Sequence, residues 1–174
     1  MIKERALLSA LKNDWKGAGY TVGRTKDRLL LGGNGWTLGC AMEVLPRKVL
    51  ALLVEHLGEI PKADDCWTVS KAAGSQTAIL KVADKEFLDS LDARGEEAAQ
   101  TRLTFGGWRV WQELGSLKVL LMDEDLTSIV VLPKDGAAES FGDGLIKDAG
   151  PDVLVVISKG MPPEAEYLQA VQWK

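Results

Sequence analysis

The sequence predicts an α+β fold, with a mixed or mainly antiparallel sheet, or sheets, packed against about four helices. Three observations carry that expectation. Apolar residues recur every three or four positions in two early segments, as on one face of a helix. A glycine-centred segment at 29–40 alternates apolar residues around Asn34-Gly35. An unbroken apolar run at 153–157 has the character of a central strand covered on both faces.

The first helix is read over 3–16, with Leu7, Leu8, Leu11, Trp15 and Ala18 on one face and Gly17 and Gly19 ending it. Tyr20 and Val22 begin a short strand, followed by a turn at Lys26-Asp27. The stretch RLLLGGNGWTLGCAM then poses a choice between a phosphate cradle and a tight turn. Asn34-Gly35 suits a type I′ hairpin, since both residues tolerate positive φ. That turn pairs Gly33 with Trp36, Leu31 with Leu38 and Leu29 with Cys40. Leu29, Leu31, Trp36, Leu38, Cys40 and Met42 then share one face, and a slip of one residue would turn them all to water. A phosphate loop needs a helix after the glycines, with Lys and Ser/Thr opening it; Trp36 and Thr37 follow instead. The hairpin is preferred.

Pro46 suits the first turn of a second helix, whose face is Val49, Leu50, Leu53, Val54 and Leu57, with Gly58 after it. Trp67 and Val69 alternate in a strand, AAGSQ supplies a turn, and a longer strand is read at 77–82. Asp84 is placed as the cap of a third helix bearing Phe87, Leu88 and Leu91. The segment EEAAQ is read as further surface helix or loop. RLTFGGWRVW forms another β segment, with Gly106-Gly107 as a bulge or tight turn. Strands are read at 117–122 and 128–132, joined by DEDLT, then loop with a short helix around 141–148. A last helix is read in MPPEAEYLQAVQW.

The 174 residues are read as a single compact domain spanning 1–174, with a subdomain boundary near 93–101 if the chain divides at all. An echo between 28–33 and 102–107 (Arg, Leu, any, large apolar, Gly, Gly) is compatible with internal duplication of a helix-plus-strands unit of roughly 75 residues, within the range of a small domain.

Composition narrows the function. No apolar run of about 18 residues exists, so no membrane partner is expected. The opening segment interleaves charge with apolar residues, unlike a signal peptide, and a cytoplasmic location is expected. Residues 1–60 hold nine basic and six acidic side chains, and 61–174 hold twelve and nineteen, within a net charge of −4. That balance disfavours a nucleic-acid partner, which would require Arg24, Lys26, Arg28, Arg47 and Lys48 to gather on one surface. Cys40 and Cys66 are read as unpaired, Cys40 as a small buried hydrophobe, and with one histidine they make no zinc pattern; no metal or cofactor is expected.

The leading reading is a non-enzymatic interaction or assembly protein that contacts itself or another protein. Trp108, Trp111 and Trp173 are its interface or ligand candidates, because six tryptophans are many to bury when each N–H needs a partner. The alternative is a small enzyme or ligand-binding domain with a site assembled from distant polar residues. Its candidates are His56, as the sole histidine; Asp123 and Asp125, as hard oxygen ligands; and Lys159, beyond the end of the 153–157 strand. For each, the ordinary reading is preferred: a surface histidine at a helix end, soluble turn formers, and a loop lysine.

Overall fold

The computed structural model describes residues 1–134 and 136–157. Lys159, Trp173 and the last helix read from sequence lie outside the described residues. The chain is α+β, with four α-helices and one large antiparallel sheet among those residues. Helix α1 (Glu4–Lys16) precedes strands β1 (Tyr20–Arg24), β2 (Leu29–Gly33) and β3 (Trp36–Cys40). Helix α2 (Arg47–Leu57) is followed by β4 (Cys66–Ser70) and β5 (Gly74–Thr77). Helix α3 (Leu80–Asp92) leads to β6 (Glu97–Phe105), β7 (Trp108–Glu113) and β8 (Val119–Asp123). The short α4 (Glu124–Thr127) precedes β9 (Ala138–Phe141), β10 (Gly144–Asp148) and β11 (Asp152–Ile157). The sheet runs β5-β4-β1-β2-β3-β11-β10-β9-β6-β7-β8, so the last described strand joins the two halves at the centre. No helix among the described residues is long and apolar enough to cross a membrane.

The β2–β3 hairpin has the register the sequence predicts, with Gly33 opposite Trp36, Leu31 opposite Leu38 and Leu29 opposite Cys40. Gly35 takes φ 83°, as the turn requires. The shared face of Leu29, Leu31, Trp36, Leu38 and Cys40 is buried in the main core with Leu7 and Leu11 of α1 and Val49 and Leu53 of α2. On the opposite sheet face, Phe87 of α3 packs with Leu30, Ile146 and Val155. Gly39 gives α3 its seat: a Cβ there would lie within 3 Å of the Phe87 ring. β11 is covered on both faces, Leu154 and Val156 by the main core and Val155 by the α3 side.

Several expectations need correction. Of the strand read at 77–82 only Thr77 is in a strand, as the end of β5, and Asp84 lies inside α3 and does not cap it. The third helix begins at Leu80, because Leu80, Phe87 and Leu91 form the inward stripe, while Ile79 and Val82 are exposed. EEAAQ lies largely in β6: pairing with β7 and β9 and burial of Ala98 override a helix-favouring composition. Gly106-Gly107 is a tight turn with positive φ at both residues. The strand read at 128–132 reduces to an isolated bridge between Ile2 and Val130, and DEDLT is helical at α4. The region 141–148 is the β9–β10 hairpin, not loop with helix. The order helix, strands, helix, strands recurs in both halves, but the RLxΦGG echo falls on different hairpins, β2–β3 and β6–β7.

The closest packing in the hairpin is over Gly33. The Trp36 indole lies there, and its Nε1 donates to Asp14 Oδ2 of α1 at 2.8 Å. A methyl group at Gly33 would meet both partners, so Gly33→Ala is expected to lower stability by about 2 kcal/mol, read as a lower urea midpoint at unchanged slope. Asp14→Ala is expected to cost about 1 kcal/mol.

Candidate functional site

The described residues carry two adjoining concavities around α4. Asp123 ends β8 and caps α4, its Oδ1 accepting from the Leu126 N–H at 3.0 Å. The start of α1 is tied to the chain after α4 by the Ile2–Val130 bridge and by Lys3 N–H donating to Ile129 C=O at 2.8 Å. Between α1 and α4 lies a groove of about 820 Å³. Lys3, Arg5, Ser9 and Asn13 line it from the α1 side, Asn34 from the hairpin turn, and Asp123, Asp125 and Ser128 from around α4. The fold therefore brings Asp123 and Asp125 together in one groove whose α1 side carries both basic (Lys3, Arg5) and acidic (Glu4, Asp14) residues. Among the described residues no group of three or more His, Cys, Asp or Glu side chains could hold a metal ion.

Beside this groove is a smaller cavity of about 300 Å³, with Lys3, Glu124 and Ser128 on its wall. Its inner wall includes Trp111 of β7 and Lys147 of β10. Period-two alternation turns Ile146 toward α3 and Lys147, like Leu145, toward the main core. Lys147 is 8% exposed. Its Nζ donates to the Thr127 carbonyl at 2.7 Å and lies 5.8 Å from the centre of the Trp111 ring. Burial, reinforced by the nearby Lys3, pulls its pKa down to about 8. Trp111 is buried, and its Nε1 has no hydrogen-bond partner among the described residues. Arg109 pairs with Glu124, while its Nε is buried without a partner. Sequence reasoning missed Lys147 because the segment was taken for loop. The only local signal was the Gly142-Asp143 turn before it, because GLIKD itself shows no apolar–polar alternation.

The other candidates stand apart. His56 is half-buried on α2, stacked on Trp15 at 4.3 Å between ring centres, and its Nδ1 shares a 2.8 Å hydrogen bond with the Tyr20 hydroxyl. Burial holds its pKa below the ordinary value, with Glu55 opposing and Lys12 adding to the effect. Burial, then Glu55, raises the Tyr20 hydroxyl above its usual range. Trp108 is half-buried on the sheet face opposite Trp111, against Val110 and Leu121. Cys40 and Cys66 are buried free thiols. Burial and the nearby Asp152 push Cys40 up to about 12, far from a reactive thiolate.

No family model matches the chain, and no curated protein does. Among solved structures it is similar to a DNA polymerase III subunit beta sliding clamp from Bartonella birtlesii, at 10% identity and a TM-score of 0.39, covering 99% of this chain and 68% of that one. It is also similar to a putative DNA polymerase III beta subunit from Eubacterium rectale, at 9% identity, TM-score 0.40 and the same coverages. A DNA polymerase sliding clamp from Pseudomonas aeruginosa gives 10% identity and 0.37, over 96% of this chain and 66% of that one. Likenesses this distant do not extend to a function.

The burial of Lys147 sets a pH dependence. Its folded pKa, about 8, lies below the ordinary lysine value of about 10.4. Below both values the buried charge destabilises the fold in full. Between them the unfolded chain binds more protons, so stability rises with pH. Relative to Lys147→Met, the wild type is expected to gain about 2 kcal/mol between about pH 7.5 and about pH 10, measured by urea unfolding of both proteins across that range.

Proposed function

We propose that the protein is a non-enzymatic assembly protein of the cytoplasm, a single compact domain that pairs with a second copy through the β5 edge. One observation carries this reading. β5 is a terminal strand of the sheet, all four of its residues are exposed, and its sequence GSQT has neither charge nor proline. Native edge strands are usually blunted by shortness, by such residues, by a bulge or by a cover, because unpaired backbone groups recruit further strands. Of these devices β5 has its shortness but neither charge, proline nor a bulge. The Ala78 N–H donates inward to Cys66 C=O at 2.7 Å. By the two-residue period of the ladder, the N–H and C=O groups of Ser75 and Thr77 then face away from β4. A second copy laid antiparallel about Gln76 would match each outward donor to an outward acceptor. Ile79 and Val82, 68% and 50% exposed, stand directly after the edge and supply apolar area beside it.

The state of two of the enzyme candidates, Asp123 and His56, and of both thiols supports the same reading. Asp123 is engaged as a helix cap, His56 as a stacked partner of Trp15 and Tyr20, and both thiols are buried. Free buried cysteines also suit a reducing compartment.

Ser75→Pro removes an outward N–H without touching the ladder to β4. Light scattering after size exclusion is expected to give a dimer mass for the wild type and a monomer mass for Ser75→Pro combined with Ile79→Lys, with unchanged circular dichroism. A wild-type monomer mass across a wide concentration range would overturn the proposal.

A further inference from the structure

We propose that the cavity beneath α4 binds a small organic carboxylate. Its anionic head would lie between the Lys147 ammonium and the Trp111 indole N–H, and its short apolar chain against Val130 and Leu132. This goes beyond assembly and does not rest on it.

Two donors are buried in one wall of the cavity. Lys147 is a buried cation that donates to a neutral carbonyl, that of Thr127. Of the charged groups around it, Lys3 is a second cation and the Glu124 carboxylate is engaged by Arg109. Buried charges are ordinarily paired with an opposite charge. The Trp111 indole N–H is the second donor, 4% exposed as a residue and without a partner among the described residues. Buried donors are nearly always satisfied, so an orphan beside an unneutralised ammonium calls for an acceptor that carries negative charge. The ammonium stands over the Trp111 ring, 5.8 Å from its centre, so cation and indole are neighbours on one wall of the cavity. The cavity, about 300 Å³, sits at the small end of ligand pockets. Its apolar wall favours a ligand with a hydrocarbon part over a bare inorganic anion.

The test uses the intact chain with its tryptophan indoles labelled with nitrogen-15, the Trp111 resonance being assigned by its loss in Trp111→Phe. Sodium butyrate is expected to shift that resonance saturably. Sodium chloride at equal ionic strength, inorganic phosphate and the neutral isostere butanamide are expected to leave it in place. Lys147→Met, a core-compatible replacement, is expected to weaken butyrate binding by more than about tenfold, the loss of one charge-assisted contact. The butanamide comparison needs no variant and stands even if Lys147→Met misfolds. No saturable shift with butyrate, an equal shift with butanamide, a shift driven by phosphate instead, or undiminished binding in folded Lys147→Met would each overturn the proposal.

Discussion

The structure depends first on the indole of Trp36 lying across Gly33 and donating to Asp14. Trp36 is among the largest fully buried side chains, and its one polar atom cannot be left dry without a partner. Asp14, near the end of α1, provides that partner at 2.8 Å. The contact ties α1 to the β2–β3 hairpin at one register, because only glycine opposite Trp36 leaves room for the ring. With the hairpin register set, β3 presents its other edge to β11, with Trp36 opposite Val156 and Cys40 opposite Asp152. The two halves of the chain thus meet in the middle of one sheet. α1, held at its end by Asp14 and at its start by the Ile2–Val130 bridge, lies beside α4 and forms one side of the groove.

What could be read from sequence follows how local the deciding forces were. The hairpin was legible down to its residue pairs because turn chemistry and apolar alternation agree. α1 and α2 were legible because their apolar stripes run several turns and end at glycines. β11 announced itself by being apolar on both faces. The misreadings arise where a distant partner decided the outcome. Residues 78–82 read from sequence as a continuing strand, yet Leu80 is drawn to the α3 side of the sheet with Leu30, Ile146 and Val155. Ala98 and its neighbours have helix-forming composition, yet pairing with β7 and β9 holds them extended. The candidate site was half legible. Asp123 and Asp125 do share a groove, but the cavity next to it is organised by Lys147 and the wall-lining Trp111. Trp111 was singled out from sequence for another reason, and Lys147 was hidden in a segment mistaken for loop.

The uneven charge of the sequence acquires a place in the fold. On the groove wall, Lys3 and Arg5 from the basic first sixty residues are balanced by Glu4 and Asp14 from the same stretch, and Asp123 and Asp125 from the acidic remainder leave the lining net acidic. Charges of both signs line one open groove, where exposed ion pairs contribute little to stability. The smaller cavity differs in kind, because there the charge is buried and burial itself moves the lysine toward neutrality.

Lys147 serves the fold, and that role accounts for only part of its surroundings. Four residues are too few for α4 to hold itself together. Its last carbonyl, at Thr127, receives the Lys147 ammonium, a cation at a helix C-terminus where it stabilises the unpaired carbonyls. The lysine stem meanwhile fills a core position beside Leu145. A methyl-capped chain of the same length would fill that space without a buried charge, so packing alone gives no reason for an ammonium here. The carbonyl contact occupies one N–H and leaves the charge unneutralised. It also leaves the indole of Trp111 without an acceptor on the same wall. A ligand oxygen pair satisfies both at once, which is why the cavity, and not the larger groove beside it, is where the unmet chemistry of this chain converges.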